Sequence, residues 1–256
     1  MKKSSITDKL YPLGGIVVLL VVWQVIVVVR QVPGYILTTP VRIGQALVGD
    51  FPLIAYHLQV TIYESLVGFG LSIGLAFILA VLMDGFSAVK KTLYPILVIS
   101  QTVPIIALAP LFIIWFGFGI LPKIIIVVIV CFFPIAISLV DGMDGVDDDY
   151  LKLFETMKAT KTQTMLHLKL PFSMGAFFSG LKIAATYMIM SAVIGEWLGG
   201  DRGIGVYMLR AKNAYALDRV FASILVIVLL SVVLISIIDG IGKRVLKWQD
   251  ERNEED

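Results

Sequence analysis

Long uncharged apolar runs, separated by short polar segments, dominate the chain. A helix needs about 20 apolar residues to cross the ~30 Å hydrocarbon core of a bilayer. Charge-free runs of roughly that length cover Leu10–Val29, Ser65–Met83, Ile124–Val140 and Val220–Ile238. Thr92–Pro122 also lacks charge, but it is too long for one straight crossing and contains Pro95, Pro104, Pro110 and Pro122. It reads as a span of about Leu93–Phe116, broken or kinked near Pro104 and Pro110, followed by a short turn at Gly117–Pro122. Leu170–Gly195 holds a single charge, Lys182, and reads as a span from about Ser173 to Ile194. The pattern predicts an all-α membrane protein with six transmembrane helices.

Composition agrees with lipid as the solvent. The 256 residues are 58% hydrophobic and 16% charged, with a mean hydropathy of +0.92, more apolar surface than a soluble domain of this size can bury. The net charge of +2 forms no basic stripe, which sets nucleic acid aside. A single cysteine, Cys131, and two distant histidines, His57 and His167, offer neither a disulfide nor a metal cluster. Leu10–Val29 is longer than a signal-peptide core and no small-residue cleavage site follows it, so it reads as a retained first span.

Lys and Arg near the span ends set the orientation. With the N-terminus inside, the inner segments hold 13 of them (Lys2, Lys3 and Arg252 included) and the outer segments 7, Lys182 lying within a span. Residues 1–9 are then a cytoplasmic N-terminus, 10–240 the six-span domain and 241–256 a charged tail. Both termini and the polar insertion 141–171 face the cytoplasm.

That insertion, DGMDGVDDDYLKLFETMKATKTQTMLHLKLP, is the least membrane-like part of the chain. Asp147, Asp148 and Asp149 precede Tyr150, where acidic groups favour a helix N-terminus. Leu151, Phe154 and Met157 follow at i, i+3 and i+6 as a short apolar stripe. Thr160-Lys161-Thr162-Gln163 has the form of a capping box, so a second helix begins there and carries Met165, Leu166 and Leu168 until Pro171. Two short amphipathic helices with a break near Ala159 are predicted, either lying on the membrane surface or gripping a soluble partner.

The insertion resembles the cytoplasmic loop of ATP-binding cassette (ABC) importer permeases, whose pattern is E-A-A-x-x-x-G-A, about eleven residues, then L-P. Counting back from Leu170 and Pro171, Ala159 matches the second-motif Ala, Met157 takes the apolar position and Thr160 stands where Ser is common. Lys152 replaces the usual Glu, Leu153 and Phe154 the two Ala, and Lys158 the usual Gly. The departure at Lys158 leaves open how tightly the loop turns. Thr61–Gly74 (TIYESLVGFGLSIG), Thr102–Lys123 (TVPIIALAPLFIIWFGFGILPK), Gly180–Trp197 (GLKIAATYMIMSAVIGEW) and Gly203–Met208 (GIGVYM) resemble successive parts of the nitrate, sulfonate, taurine and thiamine-precursor permeases, over residues of about 55–240.

The resemblance implies the type I ABC importer permease fold, with a coupling-helix loop between the fourth and fifth spans, in a prokaryotic cytoplasmic (inner) membrane. It implies two ABC ATPase subunits, a second permease copy (a homodimer), an extracytoplasmic substrate-binding protein and a small-molecule substrate, with thiamine precursors ahead of sulfonate, taurine or nitrate. The ATPase-coupling residues would be Leu151, Phe154, Met157, Ala159, Thr160, Gln163, Leu170 and Pro171. No G-x-x-x-x-G-K-[ST] occurs, so this chain has no P-loop; ATP and Mg would be bound by the partner ATPases, with no cofactor in this chain. No nucleophile–base set points to an enzyme.

Pathway candidates are Pro104 and Pro110, which free backbone carbonyls that must face protein or water, and Lys182, costly in lipid unless paired or snorkelling. Glu64 and Glu196, near the outer span ends, would either meet an emerging substrate or binding protein or lie solvated. Gly70-x-x-x-Gly74 permits close helix approach. A transporter working without ATP would instead need several ionisable groups within its spans.

Overall fold

The computed structural model describes residues 6–247, and all of their regular elements are helical. The elements are α1 (Ile6–Val29), α2 (Pro40–Gly49), α3 (Phe51–Gly85), α4 (Ser87–Ser100), α5 (Ile105–Phe116), α6 (Leu121–Asp144), α7 (Asp148–Thr156), α8 (Lys161–Thr164), a π-helical turn (Met165–Lys169), α9 (Leu170–Gly199), α10 (Ile204–Asn213) and α11 (Leu217–Val245). The charges of Lys2, Lys3 and Arg252, the first part of the N-terminal segment and the end of the charged tail lie outside the described residues.

Among the described residues four helices are long and apolar enough to cross a membrane: α3, α6, the continuous Lys161–Gly199 helix and α11. The pair α4 and α5 forms a fifth, broken candidate, and α1 supplies a shorter apolar helix over Gly14–Val29. The predicted span Ser65–Met83 is the later part of a 35-residue helix. His57, Thr61 and Glu64 did not end it, because they are buried against protein. The segment Leu93–Phe116 is broken near Pro104, as expected. Its two helices meet at 103° across Gln101–Pro104, where Pro104 takes an extended ψ of 115° and starts α5. Pro110 lies inside α5 and does not break it.

The centre of the molecule is α6, packed between α3 and α9. Its contact face is built from small and medium side chains, among them Val127, Cys131, Ile135, Ala136 and Leu139, against Ala76 and Ala80 of α3 and Ala184, Met188 and Ala192 of α9. Lipid tails are as apolar as leucine, so helices in a membrane gain from close packing rather than from apolar burial. Backbones approach closely where a side chain is missing: a Cβ on Gly68 would lie 2.6 Å from Val127 Cβ, and one on Gly180 2.8 Å from the Pro134 carbonyl oxygen. Gly70 and Gly74, expected from their spacing to serve this purpose, face open space. Ser72 adds a tie, its hydroxyl donating to the Val128 carbonyl of α6 at 3.1 Å.

On the periphery, α11 packs on α9, α2 and α10 and leaves a wide apolar face exposed, including Val228, Leu229, Val232 and Val233. The helix α1 reaches the body through α2 and through an edge-on contact of Trp23 with Phe221 at 5.5 Å.

The two glycine sets should separate experimentally. Gly68→Ala is expected to destabilise by about 1–3 kcal/mol through overpacking, whereas Gly70→Ala should stabilise by up to about 1 kcal/mol, since a helical glycine in open space gains from alanine. Thermal melting of the detergent-solubilised protein measures both.

Candidate functional site

Three features occupy the two ends and the middle of the helical body. At one end lies the connection between α6 and α9. Asp147 caps α7, its carboxylate accepting from the Asp149 amide at 2.9 Å, and Asp148 and Asp149 fill the first turn as the sequence predicts. The helix presents two apolar faces. Leu151 and Phe154 are half-buried against the body, while Tyr150, Leu153 and Met157 point outward. Leu153 is 53% and Met157 70% exposed. The single stripe Leu151–Phe154–Met157 is therefore split, because Met157 has already left the helix as its C-terminal cap.

The turn after α7 answers the question Lys158 raised. Lys158 adopts a left-handed φ of 56°. Its amide donates to the Glu155 carbonyl at 2.9 Å, and the Ala159 amide donates to Phe154 at 3.0 Å, the paired bonds of a Schellman helix end. Lysine thus makes the tight turn usually given to glycine. Thr160 and Gln163 then form the predicted capping box, with the Gln163 amide donating to the Thr160 hydroxyl at 3.3 Å and the Thr160 amide to the Gln163 side chain at 2.8 Å. Past α8 the chain widens into the π turn and enters α9 at Leu170 and Pro171, both half-buried. Leu151, Ala159, Met165 and Leu170 face Val81 and Asp84 of α3 across a cleft of about 560 Å³.

Ion pairs hold this end together. Lys169 meets Asp84 at 2.5 Å, Lys90 of α4 pairs with Asp144 of α6, and the Tyr94 hydroxyl donates to Asp141 at 2.7 Å. Lys182 is paired with Asp239 of α11, the internal-pair alternative raised by its position in a span.

At the opposite end Glu64 and Glu196 are 0% and 1% exposed, so the expectation of solvated span-end charges is corrected. Glu64 pairs with Lys123 at 2.9 Å, and the other Glu64 oxygen has no hydrogen-bond partner. Glu196 accepts from the Thr61 hydroxyl and from the Gly205 amide, each at 2.6 Å. The Ile204 amide donates to Thr61 at 2.8 Å and the Gly203 amide to His57 Nδ1 at 3.1 Å. The first N–H groups of α10 are thus satisfied by side chains of α3 and α9, and a carboxylate meets the positive end of that helix. Gly203, at φ 124°, must be glycine, because a Cβ there would overlap the Glu196 carboxylate.

His57, Thr61 and Lys123 were not singled out from the sequence. The signal was present: residues 57, 61, 64, 65, 68 and 72 form one polar or small stripe at helical spacing on an apolar helix. A metal does not suit the cluster, since no group of His, Cys, Asp and Glu among the described residues is arranged to hold one.

Midway along the body, the break between α4 and α5 opens a cavity of about 660 Å³ against Ile129, Val130, Phe133 and Pro134 of α6 and Ile183 and Tyr187 of α9. Pro104 lines it; Pro110, Lys182, Glu64 and Glu196 do not.

Residues 70–247 match the family model described as the binding-protein-dependent transport system inner membrane component. The chain belongs to this family. It is thus an ABC transporter permease, a multi-pass inner-membrane protein. It is 35% identical over 235 residues to a Haemophilus influenzae protein described as "Probable ABC transporter permease protein", covering 92% of this chain and 96% of the relative. It is 34% identical over 253 residues to the formylaminopyrimidine transport permease protein ThiX of Halalkalibacterium halodurans, covering 98% and 100%. The taurine transport system permease protein TauC of Escherichia coli is 26% identical over 247 residues, covering 93% and 90%. Among solved structures, the MetNI methionine ABC transporter shares the fold with a TM-score of 0.60 at 18% identity, covering 75% of this chain and 94% of that one.

Two substitutions test the permease's two ends. Lys123→Met strands a buried carboxylate and should cost about 3–5 kcal/mol, most of it recovered by adding Glu64→Leu; melting of the two variants decides. Lys158→Gly should stabilise by about 1 kcal/mol by relieving the left-handed lysine, read in the same assay.

Proposed function

We propose that this permease is the membrane-spanning subunit of an ATP-driven importer of a thiamine precursor or related vitamin, with six spans and both termini in the cytoplasm. Two copies form the pathway, two ATPase subunits that bind ATP and Mg dock on the cytoplasmic side, and an extracytoplasmic binding protein delivers the solute. The chain itself carries out transport, not hydrolysis.

One observation carries the coupling role: α7 holds an outward apolar face of Tyr150, Leu153 and Met157 on a short helix capped at both ends. A cap at each end makes the element rigid, and the inward pair Leu151 and Phe154 seats it on the body. ATP-driven closure of the ATPases moves α7; α8 and the π turn pass the displacement to α9, and α9 shifts against α6. The solute then enters from its binding protein, and hydrolysis restores the starting state. Phe154, Ala159, Thr160, Gln163, Leu170 and Pro171 shape the lever, while Leu153 and Met157 touch the partner.

The substrate assignment is supported by the similarity to the formylaminopyrimidine permease along essentially the whole of both chains. The taurine permease is matched over nearly as much length at lower identity, which keeps sulfonates as the second reading.

Leu153→Asp combined with Met157→Asp should abolish co-purification of the ATPase while leaving the melting temperature of the permease unchanged, since both side chains are exposed. Retention of the ATPase by this variant, or solute uptake that persists after ATP depletion, would sink the proposal.

A further inference from the structure

The cavity at the break between α4 and α5 has a chemical character of its own. It faces the mid-length of α6 and α9, so it lies near the centre of the spanning body. Three polar side chains line it: Ser100, Gln101 and Tyr187. None of the three donates or accepts a side-chain hydrogen bond among the described residues. Pro134 has no N–H to offer Val130, so the Val130 carbonyl on this wall lacks its helical donor. The break also places the carbonyl end of α4 beside the amide end of α5, acceptors next to donors. Phe133 and Tyr187 add aromatic faces.

No acidic, basic or histidine side chain lines the cavity. A nitrate or sulfonate passing through would leave its hydration without meeting a cation, which is costly in a low-dielectric interior. A neutral ring with its own donors and acceptors loses less, because the unpaired groups of the wall replace its water. We infer that this cavity is a transit site for an uncharged, planar heteroaromatic solute, with Gln101 and Tyr187 as specificity-determining residues. The inference rests on the importer reading above and narrows its substrate to one chemical class. Gln101 offers an amide that can pair with an amino-substituted ring edge, and Tyr187 supplies a stacking face with a hydroxyl at its rim.

The experiment uses the assembled transporter, with its ATPase and binding protein, in proteoliposomes supplied with labelled formylaminopyrimidine, taurine or nitrate. ATP-dependent uptake of the pyrimidine is expected to exceed that of either other solute. Gln101→Leu should lower pyrimidine uptake by about tenfold, the worth of one well-made hydrogen bond, with the ATPase still assembling at wild-type yield. Tyr187→Phe, which removes only a hydroxyl, should lower it by a smaller factor and guards against a folding failure of the first variant. Faster uptake of taurine or nitrate, or wild-type pyrimidine uptake by both variants, overturns the inference while leaving an ATP-driven importer standing. Uptake without ATP, or no ATPase in the complex, overturns the importer reading itself.

Discussion

The packing of α3, α6, α9 and α10 depends on one buried polar cluster, in which Glu64 pairs with Lys123 and Glu196 accepts from Thr61 and from the Gly205 amide in the first turn of α10. Buried charges are tolerated only when paired and hydrogen-bonded. Each partner comes from a different element, so satisfying the charges fixes four helices at one end. An apolar core of alanines and valines could slide along its ridges; this cluster stops it, because any axial shift would strand a carboxylate. The registry is set here, and the close contacts at Gly68 and Gly180 follow from it.

The other end is fastened differently. Lys90–Asp144, Lys169–Asp84 and Lys182–Asp239 join neighbouring helices through side chains that keep some access to water. Pairs of this kind are worth much less than buried ones, and their partners can be exchanged without leaving a charge in the interior. The body is thus pinned at the end far from α7 and only buttoned near it. That asymmetry suits the coupling proposed above, in which a force applied at α7 tilts α9 against α6 without dismantling the bundle.

Much of this was legible in the sequence. Charge-free runs located the apolar helices because lipid forbids unpaired charge and unpaired backbone alike. Asp147 and the Thr160–Gln163 box gave the loop's helix starts because caps are local chemistry. What failed was the inference that the charge of Glu64 marks a boundary. Glu64 seemed to end a span, yet α3 continues through it, since its partner Lys123 lies 59 positions away and pairing is invisible to local pattern. Lys158 left the turn undecided because intrinsic preference disfavours a left-handed lysine, and only the capping bonds on both sides settle it. The spacing of Gly70 and Gly74 described a possible contact without saying which face of α3 meets α6; that depends on the polar stripe from His57 to Ser72. The cavity at the broken pair was foreshadowed by Pro104, but its polar lining came from residues no local pattern joins.

The π turn at Met165–Lys169 has a consequence for how this loop tolerates change in length. A π turn holds one residue more than the α-helical turn it replaces. Removing one residue there would return the segment to regular helix while keeping the faces of α8 and α9 aligned. The same deletion three or four residues into α9 would rotate everything beyond it by about 100°, turning Lys182 away from Asp239 and Glu196 away from the head of α10. The connection between α7 and the bundle therefore contains a place where one residue can be lost without rotating the helix beyond it, and it lies just before the rigid part begins.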